Sequence, residues 1–307
     1  MKTINIYSCD FLKSFNILNY LKSFGIHNYF NIIINETVTE DTDFIFYGNF
    51  GYEHFKYTNH IKIFITQENL VPNFNICDYA IVNNSLLEEN ERCFYIPNGY
   101  RALYNIDNVI TKYDSNLFDR KFCSCLISNY DKSCDPQRLD LSQYISKNYK
   151  QISFGGKFNN NTNGVIMHDS TSTFLEEYKF NCCFENAPKT EGYISERINL
   201  ALYSKTIPIY LGTNKIKEFI NEKAFINVND FNDYYELIKF IEYIDNNENA
   251  YMDMLTCKKF IHKKNSLEEL TKFLINIFEH GSILEHNYGN IFYTNLKTYT
   301  GYIHYSK

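Results

Sequence analysis

Residues 179–212 read KFNCCFENAPKTEGYISERINLALYSKTIPIYLG, and this stretch decides the fold. It opens with an apolar run of strand length, KFNCCFEN, and closes with a second one, TIPIYLG. Between them the apolar residues recur at helical spacing, which predicts a helix from about Tyr193 to Ser204. A strand, a helix and a strand in this order are typical of a parallel sheet that is covered by helices.

The same alternation extends over the rest of the 307 residues. Six runs rich in Ile, Phe, Tyr and Val predict strands in the first part, namely TINIYS, FNIIINE, DFIFYG, IKIFITQE, DYAIVNN and CFYIPNG. Further strands are predicted at FCSCLIS, QISFGG and AFINVND. Helices are predicted at FLKSFNILNYLKSFG, which ends at Gly25, at QRLDLSQYISKNY, from Asp233 to Asn246 and from Ser266 to Phe278.

A polar, weakly patterned segment at residues 108–121 is interpreted as an interdomain linker. We therefore predict a Rossmann-like domain at 1–115, a second one at 116–280, and a tail at 281–307 that packs back on the body or is partly mobile. Two such α/β domains, with parallel sheets facing across a cleft, bind ligands at the carboxyl ends of their strands.

Charge and cysteine usage exclude several classes of function. The formal net charge is −6 with no block of Lys or Arg, which argues against nucleic-acid or membrane-surface binding. Polar residues interrupt the N-terminal apolar segment, and no window reaches the roughly 18 apolar residues of a membrane span. Nine cysteines without a zinc-like spacing indicate reduced, mostly buried thiols. We expect a soluble, cytoplasmic protein without a signal peptide or transmembrane segment.

The loop and helix of residues 179–212 carry the first candidate site. Glu196 and Arg197 are predicted in the first helical turn, just beyond the carboxyl edge of a strand. Free N–H groups at such a position favour anions, Arg197 adds a positive charge suited to phosphate, and Glu196 can accept hydrogen bonds from ribose hydroxyls. An ordinary exposed Glu-Arg pair is the alternative.

Two further stretches end strands at the same kind of edge. Glu68 follows IKIFIT, where apolar surroundings would raise the pKa of its carboxyl and suit it to act as a general base. Arg138 follows FCSCLIS at a predicted helix start, where a guanidinium can hold a diphosphate bidentately. A solvated loop carboxylate and a surface arginine are the respective alternatives.

Two motifs point less firmly to chemistry. The pair Gly155-Gly156 follows a strand but lacks the full spacing of a dinucleotide-binding loop. Residues 41–43, Asp-Thr-Asp, have the form of a metal-binding Asp-x-Asp signature, yet they open a predicted strand. We therefore predict no metal site.

Together these stretches resemble the α-1,3/4-fucosyltransferase family, glycosyltransferase family 10, and in particular its short soluble bacterial-type members. The resemblance covers roughly residues 40–255. It is carried by residues 179–212, by TQENLVPNFNICDYAI, by RKFCSCLISN with the later Arg138, and by AFINVNDFNDYYELIKFIEYI. The family usually has a lysine where this chain has Arg197.

The resemblance implies a GT-B fold and an inverting reaction that needs no metal or other cofactor. It implies GDP-fucose and an oligosaccharide acceptor as partners, with Glu68 as the general base. The matched positions imply a donor-binding set, which consists of Arg138, Asn186, Tyr193, Glu196 and Arg197.

The expected reaction is transfer of L-fucose to a hydroxyl of an acceptor glycan, with α-1,3 linkage to N-acetylglucosamine in a lactosamine-type acceptor. One alternative is a GT-B transferase that uses another GDP-sugar or a different acceptor sugar such as galactose. The other alternative is a non-catalytic module that binds a glycan or a nucleotide.

Overall fold

The computed structural model describes residues 1–110, 112–113, 116–128, 135–261 and 267–284. Contacts between Cα atoms divide the chain into two units. The first contains residues 1–97 and the later residues 267–284, and the second contains residues 98–261 as far as they are described.

Each unit is built on one parallel sheet. The first sheet has the order β2-β1-β3-β4-β5-β6, with strands β1 (Lys2–Cys9), β2 (Phe30–Ile34), β3 (Phe44–Tyr47), β4 (Ile61–Thr66), β5 (Tyr79–Val82) and β6 (Cys93–Tyr95). The second has the order β11-β10-β9-β7-β8, with strands β7 (Lys121–Cys125), β8 (Ser153–Phe154), β9 (Tyr178–Phe184), β10 (Ile207–Leu211) and β11 (Ile226–Asn227). Two Rossmann-like parallel sheets of this kind make up the GT-B fold, as the sequence predicted.

An α-helix separates each pair of consecutive strands from β6 to β10, whereas within the first sheet only β1 and β2 are separated by one. The α-helices described are α1 (Ile17–Ser23), α2 (Tyr100–Val109), α3 (Gln137–Asn148), α4 (Thr171–Leu175), α5 (Arg197–Tyr203), α6 (Tyr234–Asn246), α7 (Glu248–Thr256) and α8 (Leu267–His280). No helix among the described residues combines the length and the apolar character needed to cross a membrane.

Two helices start later than the apolar pattern predicts. The predicted helix from Phe11 begins only at Ile17, because the Asn16 side chain accepts the backbone N–H of Asn19 and caps the helix there. The predicted helix from Tyr193 begins only at Arg197, with Glu196 as its N-cap residue. Glu196 therefore lies just before the first helical turn.

The division into units differs from the predicted one. The predicted boundary at 115/116 falls at 97/98 in the structure, so α2 belongs to the second unit and residues 108–121 are not the junction. Helix α8, predicted as part of the second domain, packs on the first sheet. Its Phe278 ring lies 5.5 Å from the ring of Phe30 and 4.9 Å from that of Phe44.

Of the predicted tail at 281–307, the structure describes residues 281–284. The backbone N–H of Leu284 donates to Asp78 Oδ1 at 2.8 Å in the first unit. Residues 285–307 lie outside the described residues.

The core of the second unit is centred on β9, whose seven residues are all buried. A strand in the middle of a parallel sheet is covered on both faces, which explains its almost continuous apolar sequence. Cys123, Cys125 and Cys182 pack in this core, and the Sγ atoms of Cys123 and Cys182 lie 3.6 Å apart. The eight cysteines in the described residues are free thiols, and seven of them are buried, as predicted.

Candidate active site

The loop between β9 and α5 is organised around Glu185, the residue that directly follows β9. Its side chain is fully buried, and its Oε1 accepts the backbone N–H of Ser195 at 2.8 Å. Burial raises the pKa of this carboxyl, whereas Arg197 and the Ser195 N–H oppose the rise. The buried carboxylate therefore fixes the backbone at Ser195, near the end of the loop.

Arg197 is held by three side chains of the same loop. Its Nη1 lies 2.8 Å from Ser195 Oγ and 3.4 Å from Glu185 Oε2. Its Nη2 donates to Asn186 Oδ1 at 3.3 Å. These bonds orient the guanidinium, and the side chain as a whole keeps 26% of its surface exposed.

Arg138 lies in the first turn of α3 and is only 1% exposed, which rules out the surface alternative for this residue. A hydrogen bond with Cys182 and burial raise the pKa of the Cys125 thiol, whereas the charges of Arg138 and Arg197 both lower it. Cys125 is the last residue of β7, so both guanidinium groups act at the carboxyl end of that strand. Both arginines are members of the donor-binding set that the resemblance implies.

Tyr193 and Glu196 complete the predicted donor set in the second unit. Tyr193 is 5% exposed, and its phenol is among the groups that favour the charged form of Arg197. Glu196 is exposed, and its Oε2 accepts Asn98 Nδ2 at 3.0 Å. The predicted donor set therefore lies in the second unit, with one member in α3 and the others between the end of β9 and the start of α5, namely Arg138 and then Asn186, Tyr193, Glu196 and Arg197.

Sequence reasoning missed Glu185, Ser195 and Asn98 as parts of this site. Asn98 donates its backbone N–H to Ile194 O at 3.1 Å, and its own carbonyl accepts Asn199 Nδ2 at 3.1 Å. No local pattern indicates this role, because Asn98 lies about a hundred residues before its partners. Glu185 did have a signal, since a carboxylate that directly follows a buried strand has to be compensated.

Glu68 lies in the first unit, two residues after β4. Its backbone N–H donates to Thr66 Oγ1 at 3.1 Å, and its carbonyl accepts the N–H of Leu70 at 2.8 Å. The side chain is exposed, so the apolar surroundings expected from the sequence do not enclose it. Its position at the carboxyl edge of the sheet is the predicted one.

The two motifs given less weight have structural roles. Asp43 Oδ2 accepts the backbone N–H of Asn5 at 2.8 Å, which joins the start of β3 to β1. A Cβ atom on Gly156 would lie 2.1 Å from Ile127 O, so this glycine lets two loops pass each other. Among the described residues, no group of three or more His, Cys, Asp or Glu side chains is arranged to hold a metal ion.

Comparison with known sequences gives two matching families. Residues 119–295 match the family described as "Glycosyltransferase family 10 (fucosyltransferase) C-term". Residues 6–104 match the "Alpha-(1,3)-fucosyltransferase FucT N-terminal domain". The two matches together account for most of the chain, and each covers one of the two sheets.

Individual relatives agree with these families. The chain is 29% identical over 84% of its length to the alpha-(1,3)-fucosyltransferase FucT of Helicobacter pylori, of which it spans 62%. A crystal structure of an alpha1,3-fucosyltransferase with GDP superposes with a TM-score of 0.75 at 27% identity, covering 93% of each chain. A second such structure, with GDP-fucose, gives a TM-score of 0.74 at 26% identity and 92% coverage of each.

Proposed function

Because the chain belongs to glycosyltransferase family 10, the fucosyltransferase family, we propose that it transfers L-fucose from GDP-fucose to a hydroxyl of an acceptor glycan with inversion at the anomeric carbon. The acceptor position proposed is the 3-hydroxyl of N-acetylglucosamine in a lactosamine-type glycan. The similar alpha1,3-fucosyltransferase structures contain GDP and GDP-fucose, which supports this choice of donor.

The single observation that carries the proposal is the placement of two guanidinium groups at the carboxyl end of β7 in the second unit. Arg138 and Arg197 both act on the thiol at the end of β7, and Arg197 is fixed by Glu185, Ser195 and Asn186. Guanidinium groups recognise phosphate oxygens through paired, charge-assisted hydrogen bonds. Such a pair suits a pyrophosphate, the part of GDP-fucose that becomes more negative as the sugar leaves.

The proposed reaction is a single displacement, in which one proton moves to the protein and negative charge develops on the leaving GDP. Glu68 takes the proton of the acceptor hydroxyl while the oxygen forms a bond to fucose C1. The bond between C1 and the pyrophosphate oxygen breaks on the opposite face, and GDP departs with the electron pair. Preoriented positive charge on Arg138 and Arg197 stabilises the developing charge on GDP.

The remaining members of the set bind the nucleoside part of the donor in this proposal. Glu196 is exposed beside Asn98, so its carboxylate can accept hydrogen bonds from ribose hydroxyls. No metal or other cofactor is assigned, because the two arginines supply the charge that a divalent cation would supply. Activity in the presence of EDTA tests this part directly.

The experiment that tests the function is incubation with GDP-fucose and a panel of galactose- and N-acetylglucosamine-containing acceptors, followed by linkage analysis. We expect a product fucosylated through an α-1,3 bond to N-acetylglucosamine, with equal rates with and without EDTA. Release of GDP from another GDP-sugar but not from GDP-fucose would refute the donor assignment. Transfer to galactose alone would refute the acceptor assignment.

A further inference from the structure

Three aromatic side chains project into solvent from a short segment of the first unit. Phe50, Tyr52 and Phe55 are 45%, 58% and 51% exposed, and all three lie within residues 50–55, just after β3. We call this segment the aromatic loop. Single exposed apolar residues are ordinary on a protein surface, but three large rings in one six-residue segment indicate a binding surface.

The backbone of the aromatic loop is fixed by Asp10, the residue after β1. The Asp10 carboxylate accepts the N–H of Glu53 at 3.0 Å and that of His54 at 2.9 Å, and its carbonyl accepts the N–H of Phe50 at 2.9 Å. A Cβ on Gly51 would lie 2.2 Å from Asp10 Oδ1, so only glycine allows this close approach. The exposed rings are therefore mounted on an ordered backbone.

The Phe55 ring also packs on a buried imidazole. The imidazole of His54 lies 4.0 Å from the ring of Tyr47 and 4.2 Å from that of Phe55, between ring centroids. Its Nδ1 lies 2.6 Å from Asp10 Oδ2, which fixes the imidazole. Tyr47 and His54 are buried, whereas Phe55 is half exposed, so the outermost ring is held in place with surface left for a ligand.

A short chain of hydrogen bonds joins the aromatic loop to Glu68. Asn49, which directly precedes Phe50, accepts Thr66 Oγ1 at 2.8 Å. The same Thr66 oxygen accepts the backbone N–H of Glu68 at 3.1 Å. The loop and the proposed general base therefore lie at the same edge of the same sheet and share one polar anchor.

We propose that the aromatic loop binds the apolar face of a pyranose ring of the acceptor glycan and so presents the acceptor hydroxyl to Glu68. This inference rests on the proposed function and adds residues to it. The C–H groups on one face of a pyranose pack on an aromatic face, whose negative quadrupole attracts them. Rigid rings lose little conformational entropy on binding, which favours Phe and Tyr over long aliphatic chains for this purpose.

The test uses the single variants Tyr52→Ala and Phe55→Ala in fucosyl transfer from GDP-fucose to N-acetyllactosamine. Removal of a stacking ring should raise the acceptor KM by about tenfold, which corresponds to about 1.4 kcal/mol. The KM for GDP-fucose should stay within about twofold, because the donor set lies in the other unit. The conservative variant Phe55→Tyr keeps the ring and should behave like the wild type.

The matched control is Tyr29→Ala. Tyr29 is 53% exposed in the same unit but directly precedes β2, at the amino edge of the sheet. An equal rise of the acceptor KM in Tyr29→Ala would overturn the inference, as would unchanged values in both loop variants. A dimer of the wild type that becomes monomeric in both variants would instead identify a self-association surface and also overturn it.

Failure of the proposed function is distinguishable from failure of this inference. Saturation-transfer NMR with N-acetyllactosamine, recorded without donor, measures glycan binding even if the wild type transfers no fucose. Signals that disappear in Phe55→Ala and persist in Tyr29→Ala support the aromatic loop. The absence of signals with the wild type, or signals that persist in Phe55→Ala, would refute it.

Discussion

Replacement of Arg197 by Met should destabilise the second unit because it leaves the Glu185 carboxylate buried without its positive partner. Two unit charges 3.4 Å apart attract by about 5 kcal/mol at an effective dielectric constant of about 20. Arg197 is 26% exposed and Glu185 keeps the Ser195 N–H, so only part of this energy is lost. We expect the free energy of unfolding to fall by about 3 kcal/mol, at the lower end of the range for broken buried pairs.

The loss should depend on pH in a defined direction. Burial already raises the pKa of Glu185 in the folded protein, and removal of Arg197, which opposes this rise, raises it further. A carboxyl with a raised folded pKa destabilises the fold once the pH exceeds its unfolded pKa of about 4.3. The difference from wild type should therefore be largest at pH 7–8 and shrink as the pH falls through the raised folded pKa of wild-type Glu185, below which the carboxyl is protonated in both folded proteins.

Differential scanning calorimetry at several pH values measures this effect. A loss of about 3 kcal/mol corresponds to a fall in Tm of about 6–12 °C for a unit of this size. The double variant Arg197→Met with Glu185→Gln should recover most of the loss, because the amide still accepts the Ser195 N–H without a charge. Equal destabilisation at pH 5 and pH 8, or a double variant no more stable than Arg197→Met, would refute the reasoning.

Three other expectations concern separate parts of the molecule. Glu68→Gln should bind GDP as wild type does but lose about 10²–10⁴-fold in turnover. Calorimetric titration measures the GDP binding, and product formation measures the turnover. Full activity would remove Glu68 from the mechanism. Asp245→Asn should lower the free energy of unfolding by about 3–5 kcal/mol near neutral pH, because the buried carboxylate pairs with the buried ammonium of Lys179. Burial raises the pKa of Asp245, but its bonds with Lys150 and Lys179 lower the pKa overall. The stabilisation by this carboxylate therefore exists above about pH 4 and disappears as the pH falls through the folded pKa. A difference in stability between Asp245→Asn and wild type that persists in acid contradicts this expectation. Burial raises the pKa of Cys77 and of Cys93 to about 12. Iodoacetamide at pH 8 should therefore label these two thiols only after urea is added, which mass spectrometry would detect. Rapid labelling of the native protein contradicts their burial.

The strands could be predicted from sequence because their apolar residues are concentrated in short runs that polar segments separate. Each of the eleven strands overlaps a predicted apolar run, from β1 at TINIYS to β11 at AFINVND. Helix ends were less predictable. They depend on single polar contacts, such as the Asn16 cap, which the periodicity of apolar residues does not encode.

The candidate site was predictable where one loop supplies its parts. Asn186, Tyr193, Glu196 and Arg197 lie within twelve residues, so their closeness along the chain already indicates one common site. Asn98 was missed because its contacts with Ile194 and Glu196 span about a hundred residues. The first unit also combines segments that are distant in sequence, because α8 follows the whole second unit along the chain but packs on the first sheet.

This return of α8 has a consequence for synthesis on the ribosome. The first sheet is translated early, but Phe44 and Phe278, whose rings lie 4.9 Å apart, are separated by more than two hundred residues. At about 5–20 residues per second, the nascent sheet waits for at least about ten seconds with that apolar face uncovered. The second unit, which is continuous in sequence, can complete its fold in that interval, so the part of the chain that is translated first is the last to be finished.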